Sequence, residues 1–396
     1  MKREENNVRR ARSVKLIAGL AAAALALAAC SSGSSSSTSS AAATSAGSAA
    51  GSSAAPSAGS SAAGSSAAPS GGAISGGATI TGDPAAVKMG MAYDIGGRGD
   101  QSFNDLAAKA LDQAKAAGVD VVGELEATAG EPDSAKVDRL NQLVDSGANV
   151  ILGIGFAYSG PITQVAGENP DIKFGIVDSV VDKPNVTSLI FAANEGSYLV
   201  GAAAALETKT DNVGFIGGVN VPLIQAFQAG FDAGAKEVQP KIKITDSYLA
   251  EPGDTTKNGF NDPQLGETKA KGIYDAGADI IFAAAGGSGA GVFKAAKAAD
   301  KFGIGVDSDQ YNVASLADVK DVIITSMIKN VDVAVSDFIA SIANGSPLKG
   351  TQLYDLKNNG VGYSTSGGAI DAIVPQLEKY KQQIIDGTIK VPSTVS

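Results

Sequence analysis

Residues 145–151 read Asp-Ser-Gly-Ala-Asn-Val-Ile, and residues 275–281, 130 positions later, read Asp-Ala-Gly-Ala-Asp-Ile-Ile. Each copy leads through a Gly-rich loop (GIGFAYSGP in the first, AAGGSGAGV in the second) and a short helix to a matching strand. Those strands end in Phe174-Gly175-Ile176-Val177-Asp178-Ser179 and Phe302-Gly303-Ile304-Gly305-Val306-Asp307-Ser308. A repeat this long is not a solenoid unit. Around it, short β-branched runs such as VKMGMAY, VDVVGELE, NVILGIGF and IKFGIVDS alternate with Ala-rich helical stretches such as FNDLAAKALDQAKAAG. Near-continuous apolar strands alternating with helices predict parallel sheets covered on both faces. The segment DNVGFIGGVNVPLIQAFQAGFDAGAKEV mirrors the opening strand, loop and helix. The expected fold class is α/β: two equivalent, doubly wound, Rossmann-like lobes facing each other.

That arrangement locates a site. Open parallel sheets bind ligands beyond the carboxyl ends of their strands, so two facing lobes share a cleft there. The residues just past each strand are Asp94, Gly155, Phe156, Asp178, Asn220, Gly286, Gly287, Asp307 and Lys329.

The N-terminus is a targeting device. Lys2, Arg3, Arg9, Arg10, Arg12 and Lys15 precede an apolar run from Leu16 to Ala29, too short to span a bilayer comfortably but right for a signal peptide over residues 1–29. It ends in Leu27-Ala28-Ala29-Cys30, which resembles the lipobox of bacterial lipoproteins and makes Cys30 the expected lipidation site. Cys30 is the one cysteine among 396 residues, so the exported chain has no disulfide. Residues 30–84 are Ser, Ala and Gly with few large apolar groups, a composition that predicts a flexible tether. Past the signal the chain carries 25 basic against 39 acidic residues, a net charge of −14. An acidic surface repels nucleic acid and anionic lipid, so attachment to the membrane must come from the acyl chains. The expected location is the extracytoplasmic face of the cell membrane.

Much chemistry is excluded. The sequence contains no histidine, and no cysteine follows Cys30. The commonest general base, thiol catalysis and Cys-based metal sites are therefore out. No GxxxxGK[ST] loop is present, and Gly287-Ser288-Gly289-Ala290-Gly291 lacks the spacing and the first-strand position of a dinucleotide fingerprint. No catalytic residue, metal or cofactor is expected. Without histidine, ligand affinity is expected to be nearly flat from about pH 5 to 8.

Residues 94–104 (DIGGRGDQSFN) resemble the basic membrane protein family of substrate-binding lipoproteins, whose relatives are purine-nucleoside receptors of ABC transporters. Gly259-Phe260-Asn261-Asp262-Pro263, Ala285-Gly286-Gly287-Ser288-Gly289, Gly305-Val306-Asp307-Ser308-Asp309-Gln310 and Ser326-Met327-Ile328-Lys329 follow in the family's order. The resemblance covers the folded part and implies a type I periplasmic-binding-protein fold, with three crossovers between the lobes and hinge closure on the ligand. Lobe 1 is expected to comprise residues 85–190 plus 324–346, and lobe 2 residues 191–323 plus 347–396. By resemblance, Phe103 and Phe260 sandwich a flat base, while Asp94 and Asn104 bond its edge. By the same resemblance, Asp178, Asp307 and Lys329 hold the ribose hydroxyls or neighbouring polar atoms, and Gly286 lets the backbone approach. The chain departs from the family pattern at DLAAKAL after Asn104 and at Gly99, which bears on base preference.

The residues also admit plainer roles. Ser102 and Asp105 have capping-box spacing, Asp178 and Asp307 can cap helices, Lys329 can be a solvated charge, and Phe227 and Phe231 read as core. The functional expectation is a monomeric nucleoside-binding lipoprotein that serves an ABC permease. A sugar receptor of the same fold, a ligand sensor partnering a membrane signalling protein, and a nucleoside hydrolase are the rivals.

Overall fold

The computed structural model describes residues 77–395. The signal segment, Cys30 and tether residues up to 76 lie outside the described residues. The first half of the described chain runs β1 (Lys88–Tyr93), α1 (Phe103–Ala116), β2 (Asp120–Glu126), α2 (Asp133–Asp145), β3 (Val150–Gly153), α3 (Ser159–Glu168), β4 (Lys173–Val177) and β5 (Val186–Phe191). The second half runs α4 (Ala193–Glu207), β6 (Asn212–Val219), α5 (Pro222–Val238), β7 (Lys243–Ala250), α6 (Pro263–Asp275), β8 (Ile280–Ala284), α7 (Gly289–Ala299), β9 (Phe302–Asp307) and β10 (Ile323–Lys329). Then come α8 (Val331–Ala343), β11 (Gly350–Tyr354), β12 (Val361–Tyr363) and α9 (Val374–Ile385).

The strands form two six-stranded sheets, ordered β11-β5-β4-β3-β1-β2 and β12-β10-β9-β8-β6-β7. The two orders correspond position by position, and every pairing is parallel except that of β10 with the short β12. The 145–151 and 275–281 repeats close α2 and α6 and lead into β3 and β8. Gly147 (φ 85°) and Gly277 (φ 98°) each turn the chain out of its helix in the left-handed region, where a glycine costs least. The inner strands bury both faces, as the apolar runs require: Met89, Met91, Tyr93, Ile151, Leu152, Phe174, Phe215, Ile281 and Phe282 are all buried.

The lobe boundaries differ from the sequence expectation at the C-terminal end. The strand at 323–329 belongs to the second sheet and that at 350–354 to the first, the reverse of their expected assignment. The repeat explains why: β10 is the counterpart of β5, and the chain changes lobe after the fifth strand in each half. Crossings occur between Phe191 and Ala193, between Lys329 and Val331, and between Tyr354 and Val361. An apolar run such as Ile323–Met327 suits either sheet, so its pattern alone does not say which.

The expected tether also ends sooner than residue 84. Residues 77–83 lie against α8, where the Asn344 side chain grips them. Its Oδ1 accepts from Thr81 N at 2.7 Å and Gly82 N at 2.8 Å, and its Nδ2 donates to Thr79 O at 3.0 Å. Ala78 N donates to Asp337 Oδ1 at 2.7 Å, and Asp83 N to Ala343 O at 3.0 Å. Backbone groups that would otherwise face water are thus paired by one amide. Asn344→Ala is expected to cost about 1–2 kcal/mol and to release this strap, since each lost bond contributes about 1 kcal/mol net or less at an exposed position. Hydrogen exchange of the Thr81 and Gly82 amides checks it. Protection unchanged from the parent would contradict the grip.

Candidate functional site

The cleft is assembled from strand ends and the turns that follow them. Asp94 follows β1; its N–H donates to Asn104 Oδ1 at 3.1 Å, and its Oδ1 accepts from Ile95 N at 2.8 Å. Across the sheet, Gly155 stands at φ 108°, and a Cβ there would lie 2.2 Å from Asp94 Oδ2. The small residue after β3 therefore makes room for the carboxylate after β1. Asn104 has its amide engaged on both sides, since Nδ2 donates to Asp100 Oδ2 at 2.9 Å. Its role in this arrangement is to hold the Asp94 turn.

The cap of α1 is Asp100, not the Ser102–Asp105 box. Asp100 accepts from Ser102 N at 2.9 Å, Asn104 N at 2.8 Å and Asp105 N at 3.1 Å, which satisfies the orphan donors of the first turn. Ser102 makes no capping bond. Its Oγ instead donates to Asp307 Oδ2 at 2.5 Å, across the cleft. Asp105 folds back to accept from Gly99 N at 2.6 Å and Gln101 N at 3.0 Å. A reach of two residues back from Ser102 is not a capping-box spacing, and for that reason Asp100 was missed.

Asp178 and Asp307 occupy matched positions after β4 and at the end of β9. Neither caps a helix; both sit in the left-handed region, at φ 65° and 63°. That backbone is uncommon for a residue with a Cβ and clusters at functional sites. Lys329, at the end of β10, is 2% exposed and points into the cleft rather than to solvent. Its Nζ donates to Asp178 Oδ2 at 2.5 Å, while Asp178 Oδ1 is buried with no protein partner. The ammonium also lies 4.7 Å from the Phe103 ring centroid, 5.0 Å from that of Phe191 and 5.8 Å from that of Phe227. Electron-rich ring faces and a carboxylate together offset its desolvation.

These groups line one cavity enclosing about 610 Å³ of interatomic space, solvent at its mouth included. All eight residues expected at the ligand (Asp94, Phe103, Asn104, Asp178, Phe260, Gly286, Asp307 and Lys329) line it, as do Gly155 and Phe156. Asn220 does not: its amide is spent on Glu251 Oε2 and Gln225 Nε2, at 3.0 and 2.8 Å. Gly287 packs beside Asp100 O at the lobe contact instead. Phe227 and Phe231 are core residues as expected, and Phe227 also faces the cavity, together with Leu223 and Ile224 of α5. The internal repeat was the available signal, since α5 is the counterpart of α1 and its first turns must face the same cleft.

Four carboxyl groups, those of Asp94, Asp100, Asp178 and Asp307, face the cavity against the one ammonium of Lys329. Burial pushes Asp94 up to about 6, with the Ile95 amide and Lys136 pulling it back. Burial likewise lifts Asp100 to about 6 against three backbone donors. It also raises Asp307, against the pull of Lys329 and Ser102. Such a wall favours a neutral ligand that donates hydrogen bonds and disfavours an anionic one. The flat pH profile expected from the missing histidines excepted a perturbed carboxylate, and burial raises Asp94 and Asp100 toward the lower end of that window. For a ligand that donates to Asp94, affinity is expected to be level above about pH 7. It should weaken by up to about tenfold per unit below about pH 6, because protonation removes the acceptor. Calorimetric titrations at pH 5, 6 and 7.5 test this; equal affinities would contradict it. Stability runs the other way. Folding raises the Asp94 pKa above its ordinary 3.8, so its contribution is full below that value and lost as pH rises through about 6.

The geometry is that of two α/β lobes enclosing a small cavity between them. A family model described as ABC transporter substrate-binding protein PnrA-like matches residues 86–395. The chain belongs to this family. As a PnrA-like substrate-binding protein it is 40% identical over 323 residues to the CD4+ T-cell-stimulating antigen of Listeria monocytogenes, covering 76% of this chain and 87% of that one. It is 37% identical over 323 residues to the ABC transporter nucleoside-binding protein BmpA of Lactococcus lactis, covering 78% and 89%. Among solved structures, an ABC transporter solute-binding protein of Aeropyrum pernix superimposes with a TM-score of 0.66 at 27% identity, over 77% of this chain and 94% of that one. PnrA-like proteins are extracytoplasmic receptors rather than enzymes, and each delivers a small molecule to an ABC transporter permease. The fold is accordingly the type I solute-binding architecture. Among the described residues, no helix is long and apolar enough to cross a membrane.

Proposed function

We propose that this protein is a monomeric, lipid-anchored receptor that binds a purine nucleoside between its lobes and hands it to an ABC import permease. The observation that carries the reading is the make-up of the cleft. Phe103 on lobe 1 and Phe260 on lobe 2 flank a cavity ringed by Asp94, Asp178 and Asp307 with Lys329. Two ring faces suit a planar base, and ionised carboxylates suit the vicinal hydroxyls of ribose. Asp94 reads the base edge, with Asn104 fixing the turn that carries it. Asp178 Oδ1, buried and unpartnered in the protein, is the acceptor free for a sugar hydroxyl. Gly286 (φ 53°) places backbone near Phe260. The name of the Lactococcus lactis relative points to the same ligand class. Anchoring through Cys30 rests on the signal peptide and lipobox of the N-terminus.

Micromolar binding requires about −8 kcal/mol, within reach of two stacking faces and several charge-assisted bonds. The test is a thermal-shift screen of the full-length protein against nucleosides, nucleobases, pentoses and hexoses. A nucleoside at a hundred times its Kd is expected to stabilise the fold by about 2.7 kcal/mol. A shift produced by pentoses or hexoses alone would sink the nucleoside assignment and leave the receptor fold in place. Radiolabelled palmitate incorporated by the parent, and lost in Cys30→Ser, tests the anchor.

A further inference from the structure

Three contacts join the lobes beside the cavity. The main-chain carbonyl of Gln101, on lobe 1, accepts from Ser308 Oγ at 3.0 Å and from Gln310 Nε2 at 3.2 Å, both on lobe 2. One residue on, Ser102 Oγ donates to Asp307 Oδ2. Gln101 sits at φ 61°, a left-handed conformation for a residue with a Cβ, and its own N–H is tied to Asp105. Gln310 is 2% exposed, and lobe 2 holds it at two further atoms. Its Oε1 accepts from Val306 N at 3.0 Å, and its N–H donates to Ser326 Oγ at 3.1 Å. Its side-chain amide is thus held toward lobe 1 by bonds within its own lobe. Neither Ser308 nor Gln310 lines the cavity.

We propose that Ser308 and Gln310 form an interlobe latch on the Gln101 carbonyl, and that they are positioning residues for ligand capture. Gln101 and Ser102 immediately precede Phe103, the first residue of α1. Gripping that turn from lobe 2 therefore sets the Phe103 ring against the cavity only when the lobes are closed. Because the latch touches no ligand, it favours the closed state by the same amount whatever is bound. It sets how tightly the protein binds, and the cavity residues set what it binds. The inference rests on the cleft-closure reading and is indifferent to which small molecule is the ligand.

The experiment compares the parent with Ser308→Ala, Gln310→Met and the double variant. Spin labels at Lys115→Cys on α1 and Lys271→Cys on α6, in a Cys30→Ser background, report the interlobe distance by pulsed electron resonance. In the double variant without added ligand, the distance distribution is expected to move to longer values. A saturating compound taken from the thermal-shift screen should restore it. Every compound that binds the parent should bind the double variant more weakly by one common factor of about 5–30, the worth of two hydrogen bonds. An unchanged distance distribution would overturn the latch. So would losses that differ from compound to compound, because those would make Ser308 or Gln310 ligand contacts. Ser308→Ala removes a single hydroxyl and carries the test if Gln310→Met does not fold. If no compound in the screen binds, the label distances still decide.

Discussion

Lys329→Met is expected to destabilise the protein by about 3–5 kcal/mol, the loss typical of removing one partner from a buried ion pair, and to abolish ligand binding. The side chains of Lys329 and Asp178 are 3% and 5% exposed, so water cannot take over for the missing partner. Asp307, also buried, depends on the same ammonium to offset its desolvation. Removing Lys329 leaves both carboxyls without a counter-charge in a low-dielectric site, and takes from Asp307 the charge that opposes its upward shift. The Phe103, Phe191 and Phe227 rings that face the ammonium lose their partner too. Thermal denaturation at pH 7 and pH 5 checks the cause as well as the size. The deficit should shrink at pH 5, and Lys329→Met/Asp178→Asn should recover part of it. A variant as stable as the parent at pH 7 would mean that the pair does not bear on the fold.

Truncating the rings should have the second largest effect. Phe103→Ala and Phe260→Ala are each expected to weaken nucleoside binding by about 10–100-fold, since stacking on one aromatic face contributes about 1–3 kcal/mol per base. Stability should change less, because both rings are only partly buried. Phe260 lies against Gly218, where a Cβ would meet the ring at 2.3 Å, so Gly218→Ala should displace the ring and mimic its loss in part. Titration of each variant with the same nucleoside measures this. Wild-type affinity in Phe103→Ala would remove the ring from the site and leave the carboxylates to account for binding. In that event a non-planar, hydroxyl-rich ligand becomes the better fit.

Most of the architecture was legible in the chain itself. The spacing between residues 145–151 and 275–281, together with runs such as VILG and IIFAA, dictates two like α/β lobes. Strands buried on both faces must be apolar throughout, and a helix must end where a glycine turns left-handed, so these features are written locally. The strand-end positions Asp94, Asp178 and Asp307 were legible for the same reason: a parallel sheet exposes its carboxyl ends.

The tertiary structure decided what depends on bringing distant residues together. A lysine at the end of an apolar strand can meet water or a buried partner, and only the apposition of β10 and β4 across the hinge places Lys329 on Asp178, 151 residues away. Ser102 has the right spacing for a local cap, yet its hydroxyl goes 205 residues along the chain to Asp307. The first-turn donors fall instead to Asp100, and burial pushes that carboxyl, like that of Asp94, up to about 6. Composition placed no titrating group there, because desolvation is a property of the closed cleft and not of any residue in it. Local sequence encodes strands and helix ends; charge state, partner and lobe membership are fixed by long-range contact.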